Sequence, residues 1–224
     1  MIKGFYRQNW KRGIELKDHL KYLLVMEHSV FIRNLKIRYL EKGKGVPFVL
    51  LHGFSFCAET WVEIGLFDEL AKEYHVYSFD MPYGIKSRSD KFDAKSRDEY
   101  AGFLNNLLKA LNINEPILLG ASISGEVTLR CLSSGYSAKA GIVIGPVNVK
   151  SLVSNLNRIT VPLLVIWGEK DDISPPDNSK ILKDNIKNSE VHILKGAGHA
   201  CYLDKTEEFK IIVRDFLKKQ KLTF

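Results

Sequence analysis

From residue 47 onward, short apolar runs alternate with longer amphipathic ones, and no other feature of the sequence limits the fold as strongly. Phe48–Leu51, His75–Phe79, Ile117–Leu119, Gly141–Ile144, Leu163–Trp167 and Val191–Leu194 are three to five residues long. Runs so short and so apolar read as strands buried on both faces. The stretches near 59–72, 96–110, 123–133, 175–186 and 206–219 instead place their apolar residues at helical spacing. Such alternation predicts an α/β fold, a mostly parallel, doubly wound sheet flanked by helices. Working residues are then expected on the loops beyond the carboxyl ends of the strands.

Ahead of this region, Ile14, Leu16, Leu20, Leu23 and Leu24 fall at nearly helical spacing over residues 14–26. Two β-like stretches follow, Val30–Arg33 and Leu35–Leu40, with a turn at Gly43 and Gly45. No repeat, low-complexity tract or linker divides the chain, so residues 28–224 are expected to form one domain behind a basic segment, residues 1–27.

Composition narrows the function classes. With 224 residues, 45% of them hydrophobic and 26% charged, the chain can bury a core without staples. No apolar run reaches the roughly 18 residues of a membrane span, and Tyr22–Met26 is too short for the core of a secretion signal. Three cysteines, Cys57, Cys131 and Cys201, are too few for a disulfide framework, which points to a reduced, cytoplasmic setting. Cys57 and Cys201 are expected as small apolar residues rather than redox groups. The net charge of +7 is concentrated at one end: residues 1–40 hold nine Lys/Arg against three Asp/Glu, and the remainder 24 against 23. That is a solvated arm rather than a uniformly basic surface, and nucleic acid is not an expected partner. Nothing in the sequence assigns an oligomeric state.

Chemistry concentrates at four strand ends. Ile117–Leu119 runs into Gly120-Ala121-Ser122-Ile123-Ser124-Gly125 and then a helical stretch, which suits a nucleophile elbow. Small neighbours permit a turn tight enough to lift the Ser122 hydroxyl clear of the sheet. The competing reading makes Ser122 a helix cap. A serine nucleophile needs a histidine base held by an acid. His199 stands in a glycine turn, Gly196-Ala197-Gly198-His199, after the last strand, and Leu163–Trp167 leads into two adjacent aspartates, Asp171 and Asp172, with Glu169 expected in solvent. The order Ser…Asp…His is that of one hydrolase class. Leu51-His52-Gly53-Phe54 closes the first long strand, so the amides of Phe54 and Ile123 are the expected oxyanion donors. No His, Cys or carboxylate cluster has metal-ligand spacing, and no cofactor is expected.

These residues resemble those of α/β-hydrolases over roughly residues 30 to 220, and within that superfamily the lidless group of α/β-hydrolase-domain-containing protein 14, the CIB-type hydrolases. Three stretches carry the resemblance: Lys195–Lys205 followed by Glu207-Glu208; Leu51–Phe54 with Glu59-Thr60-Trp61; and Ser122-Ile123-Ser124-Gly125, where that group also has serine for the second elbow glycine. The resemblance implies Ser122, Asp171 and His199 as a catalytic triad, Asp171 being selected by the spacing Trp167-Gly168-x-x-Asp171. One loop departs from the usual pattern. Asp80-Met81-Pro82-Tyr83-Gly84-Ile85-Lys86-Ser87 has Tyr83 and Lys86 where glycines usually stand.

Pro146 and Val161 are only fifteen positions apart, room for a loop and one short helix around Ser151–Asn157 but not a lid domain. An open serine is therefore expected, shielded by Phe54, Phe56, Ile123, Val147 and Ile173, with a short or medium acyl group as substrate. The expected function is a serine hydrolase cleaving an ester or similarly activated acyl compound through an acyl-enzyme. Two alternatives stand beside it. One is acyl transfer or protein-lysine deacetylation with coenzyme A as acceptor, to which the resembled group has been linked. The other is a non-catalytic interaction module on a hydrolase fold.

Overall fold

The computed structural model describes residues 25–222. Eight strands form one sheet: β1 (Met26–Ile32), β2 (Leu35–Lys42), β3 (Pro47–Leu51), β4 (His75–Phe79), β5 (Ile117–Ala121), β6 (Ala140–Ile144), β7 (Leu163–Gly168) and β8 (Ser189–Leu194), in the order β1-β2-β4-β3-β5-β6-β7-β8. Only β2 pairs antiparallel with its neighbours, β1 and β4; from β4 to β8 every pairing is parallel.

The two-residue period of a strand sorts the core into two layers. Val49, Leu51, Leu118, Val143, Val165 and Trp167 face one side. Phe48, Leu50, Ile117, Leu119, Ile142, Ile144, Leu164 and Ile166 face the other. Helices α3 (Arg97–Ala110), α4 (Ile123–Ser133) and α6 (Asn178–Asn185) cover the first layer with residues such as Leu104, Leu107, Val127 and Leu182. Helices α1 (Thr60–Glu63), α2 (Leu66–Leu70) and α8 (Thr206–Lys219) cover the second with Trp61, Phe67, Phe209 and Phe216. The expected doubly wound α/β sheet is what the chain forms.

Strand register aligns the functional loops. Leu51 pairs with Gly120, Gly120 with Val143, Ile144 with Ile166 and Gly168 with Leu194. The loops starting at His52, Ser122, Gly145, Glu169 and Lys195 therefore leave the same edge of the sheet side by side. Between Pro146 and Val161 the chain makes a 3-10 turn, Val149–Leu152, and a short helix, α5 (Val153–Leu156), and no lid domain. No helix among the described residues is long and apolar enough to cross a membrane.

Local differences from the sequence reading have local causes. The helix expected over 59–72 is two, because Gly65 takes φ +76° and turns the chain between α1 and α2. Arg33 and Asn34 both have positive φ, the conformation of a tight hairpin turn, so β1 and β2 extend further along each other than the apolar runs suggested. The helix expected over 14–26 lies outside the described residues except for Val25 and Met26, and Met26 opens β1. An unforeseen short helix, α7 (Cys201–Asp204), follows the His199 turn.

One charge cluster, centred on the buried pair Arg38 and Asp80, ties the sheet edge to the loop after β4. Arg38 on β2 donates to Asp80 Oδ2 at 2.8 Å, to Glu27 Oε2 at 2.8 Å and to Glu59 Oε1 at 2.5 Å. Asp80 is fully buried and also accepts the amides of Ala58 and Arg88. Burial alone would lower the Arg38 pKa, but its hydrogen bonds to Glu27 and Asp80 prevail and raise it. Cys57, Glu59 and Asp80 bring ligand atoms within 4.8 Å of one another. Both carboxylates are engaged by the guanidinium groups of Arg38 and Arg88, whose charges oppose a cation there.

Candidate active site

Ser122 joins β5 directly to α4 with φ 56° and ψ −117°, a conformation that costs on the order of 1–3 kcal/mol and persists only where surroundings impose it. They do. The Ser122 amide donates to Ile144 O at 2.8 Å, keeping the residue in step with β6. A Cβ on Gly120 would lie 2.3 Å from Ser124 O, so only glycine allows the turn to be this tight. The Ser122 side chain makes no capping bond to α4, which removes the helix-cap reading.

Its hydroxyl meets His199 Nε2 at 2.9 Å, and His199 Nδ1 meets Asp171 Oδ2 at 2.8 Å. With Nδ1–H donating to the carboxylate, Nε2 is the acceptor for the serine proton. The other carboxylate oxygen, Oδ1, accepts the amides of Ile173 at 3.0 Å and Ser174 at 2.8 Å. The Asp171 side chain is 0% exposed and that of His199 22%. Asp172 points into solvent, and of the two aspartates Asp171 is the one that meets His199.

Neighbouring loops hold these groups in place. Trp167 Nε1 donates to Ser174 O and Ser174 Oγ to Pro146 O, both at 2.7 Å, bracing the aspartate loop against the loop after β6. A Cβ on Gly168 would lie 2.0 Å from Gly198 O, so β7 ends directly beneath the histidine turn. Asp204 of α7 accepts the Gly198 amide, and Glu169 accepts that of Gly196, each at 2.8 Å. Glu169 is exposed as expected but also braces the turn that carries His199.

Gly53 passes beside the serine: a Cβ there would lie 3.6 Å from Ser122 Cβ. Phe54 follows it. Among the described residues no acceptor meets the Phe54 amide, and Ile123, as the first residue of α4, has no intrahelical acceptor for its own. Of the expected shielding side chains, Phe54 is 51% and Ile173 64% exposed, whereas Ile123 at 4% belongs to the core. Val147 and Phe56 are half-buried; Phe56 packs edge-on to Tyr202, with Lys86 Nζ 5.9 Å from its ring centre.

His52, to which the sequence reading assigns no role of its own, is a fully buried support. Its Nδ1 lies 2.8 Å from Gly53 O, and its Nε2 accepts the Met81 amide at 2.9 Å. These partners require a neutral ring protonated at Nδ1. Burial lowers its pKa from the usual 6.5, against smaller opposing effects of Gly53 O and Asp80. The unfolded chain therefore binds a proton on His52 more readily than the folded one. The resulting stability is fully present above pH about 6.5 and is lost as pH falls below that value toward the folded pKa. Urea midpoints are expected to fall between pH 7.5 and 5.5, and to fall less in His52→Asn; equal falls in both proteins would contradict this role.

Comparison with known proteins gives a consistent result. A model of the alpha/beta hydrolase family matches residues 48–155. The chain is 36% identical over 174 residues to protein ABHD14A of Danio rerio, a match spanning 76% of this chain and 64% of that one. It is 31% identical over 174 residues to the human "Putative protein-lysine deacylase ABHD14B", covering 76% and 82%. Among solved structures, a "predicted CIB-like hydrolase" of Thermoplasma acidophilum superposes with a TM-score of 0.81 at 27% identity, covering 87% of this chain and 98% of the other.

Proposed function

The chain belongs to the alpha/beta hydrolase family, in the group of ABHD14A and ABHD14B, and from this premise we propose that it is a serine hydrolase acting on an ester or similarly activated acyl compound. The observation that carries the proposal is the continuous hydrogen-bonded line from Ser122 Oγ through His199 to the buried Asp171. Ser122 Oγ attacks the substrate carbonyl while its proton passes to His199 Nε2. Asp171 holds the imidazole orientation and stabilises the imidazolium so formed. The Phe54 and Ile123 amides bind the oxygen as it becomes negative; one such donor is worth about 10²–10³ in rate. Collapse of the tetrahedral adduct breaks the bond to the leaving group, which takes the proton from His199. Water, deprotonated by His199, then releases the acyl group from Ser122 and restores the hydroxyl.

The half-exposed rim of Phe54, Phe56, Val147 and Ile173 suits a short or medium acyl chain, and the short Pro146–Val161 connection leaves space for a large leaving group. The name of the human relative favours one further reading, that the acyl group comes from a protein lysine; the acceptor is then water or, as the family resemblance implies, coenzyme A. Formation of acyl-coenzyme A from an acetyl-lysine peptide would distinguish transfer from hydrolysis.

The test is labelling with a fluorophosphonate followed by intact mass and peptide mapping. One adduct on Ser122, absent in Ser122→Ala and strongly slowed in His199→Ala, is the expected result. A folded wild-type protein that takes no label would overturn the assignment.

A further inference from the structure

The two sequence oddities around this site, Tyr83 in place of a loop glycine and Ser124 in place of the second elbow glycine, are in contact. The Tyr83 hydroxyl lies 2.6 Å from Ser124 Oγ, both buried, and Ser124 Oγ donates to the carbonyl of His52. Directions follow from counting protons. A carbonyl can only accept and a serine hydroxyl has one hydrogen, so Ser124 donates to His52 O and must accept from Tyr83. Burial raises the pKa of the Tyr83 phenol well above its usual value, so it keeps the proton this arrangement needs. The Tyr83 ring is itself fixed edge-on against Tyr100, 4.8 Å between centres.

We propose that Tyr83, acting through Ser124, is a positioning residue that sets the separation of the two oxyanion-binding amides. The inference rests on the serine-hydrolase reading. Ser124 rides on α4 one residue after Ile123, which supplies one amide. The carbonyl it grips begins the segment His52-Gly53-Phe54, which supplies the other. A single hydroxyl therefore ties the two halves of the site together. The rest of the segment is held as firmly. Gly53 O accepts the Phe56 amide at 3.1 Å as well as His52 Nδ1–H, and because a peptide is planar, fixing that carbonyl fixes the direction of the Phe54 N–H on its opposite side. Phe54 O accepts the Ile85 amide at 2.7 Å. Three successive carbonyls are thus pinned. The loop after β4 reaches each through Tyr83, through Met81 on His52, and through Ile85. Gly84 permits this approach, since a Cβ there would lie 2.3 Å from His52 Cε1.

A positioning role differs from general packing in what it moves. In Tyr83→Phe, which keeps the ring, and in Ser124→Ala, kcat for p-nitrophenyl acetate is expected to fall about tenfold, less than the loss of a whole donor. KM should stay within about twofold. The Ki of a trifluoromethyl ketone, which forms a tetrahedral oxyanion on the serine, should rise by the same factor as kcat falls. Because the two hydroxyls act in series, the double variant should be no worse than Ser124→Ala alone. Unmoved kcat and Ki in both variants of an active enzyme would overturn this inference alone, as would effects that multiply in the double variant. A wild type that neither turns over ester nor labels at Ser122 would overturn the hydrolase reading and this inference with it. If Tyr83→Phe does not fold, Ser124→Ala decides through the comparison of Ki with KM.

Discussion

Ser122→Ala is expected to lower ester turnover by about 10⁴–10⁶-fold while leaving the fold intact. The substitution removes the one atom placed both to attack a carbonyl and to pass its proton to His199 Nε2. What survives is the modest acceleration that binding and oxyanion donors give to attack by water. Stability should not suffer. The Ser122 hydroxyl caps no helix, and the strained backbone is imposed by the neighbouring strand and by Gly120, both unchanged in the variant. Steady-state hydrolysis of p-nitrophenyl acetate, with thermal unfolding measured in parallel, tests both statements. Turnover within a few-fold of wild type in a normally folded variant would show that the nucleophile lies elsewhere.

Asp171→Asn should cost about 10⁴-fold in kcat, nearly as much, although no atom that touches substrate is lost. Asparagine keeps the shape, and its oxygen can still accept the Ile173 and Ser174 amides that hold Oδ1. The group facing His199 Nδ1 then becomes an NH₂ donor. That forces the imidazole proton onto Nε2, where the ring can no longer receive the proton of Ser122. Asp172→Asn, one residue away and exposed, should remain near wild-type activity. Comparing the two in one assay separates loss of a particular tautomer from loss of a negative charge in the neighbourhood. Equal effects would count against the assigned geometry.

The sequence was most informative where a structural demand is local. Runs such as Phe48–Leu51 and Leu163–Trp167 are apolar because both faces of those strands are covered, and each appears as a strand with bounds close to those expected. The elbow was visible because a turn this tight excludes large side chains over a few consecutive residues. Asp171 and Asp172 could not be separated by composition, since the difference lies in which carboxylate meets an imidazole 28 positions later in the chain. Tyr83 and Ser124 each stood out as departures from a glycine pattern. Their contact spans 41 positions, and nothing in either neighbourhood announced it. The break at Gly65 shows the same limit on a small scale. The apolar spacing continued through it, and only the positive φ of one glycine ended the helix.

The charge cluster around Arg38 links the edge of the sheet to the loop that packs against the segment beside Ser122. Asp80, which Arg38 grips, is the residue from which the loop carrying Met81, Tyr83 and Ile85 departs, and Glu27 on the outermost strand shares the same guanidinium. Edge strand, buried arginine and loop thus form one hydrogen-bonded series that ends at the His52-Gly53-Phe54 segment. Glu27 on β1 is thereby joined, through Arg38 and Asp80, to the loop whose Met81 and Ile85 amides bond His52 and the Phe54 carbonyl. Residues far from the serine are thus hydrogen-bonded, link by link, to the segment that borders it.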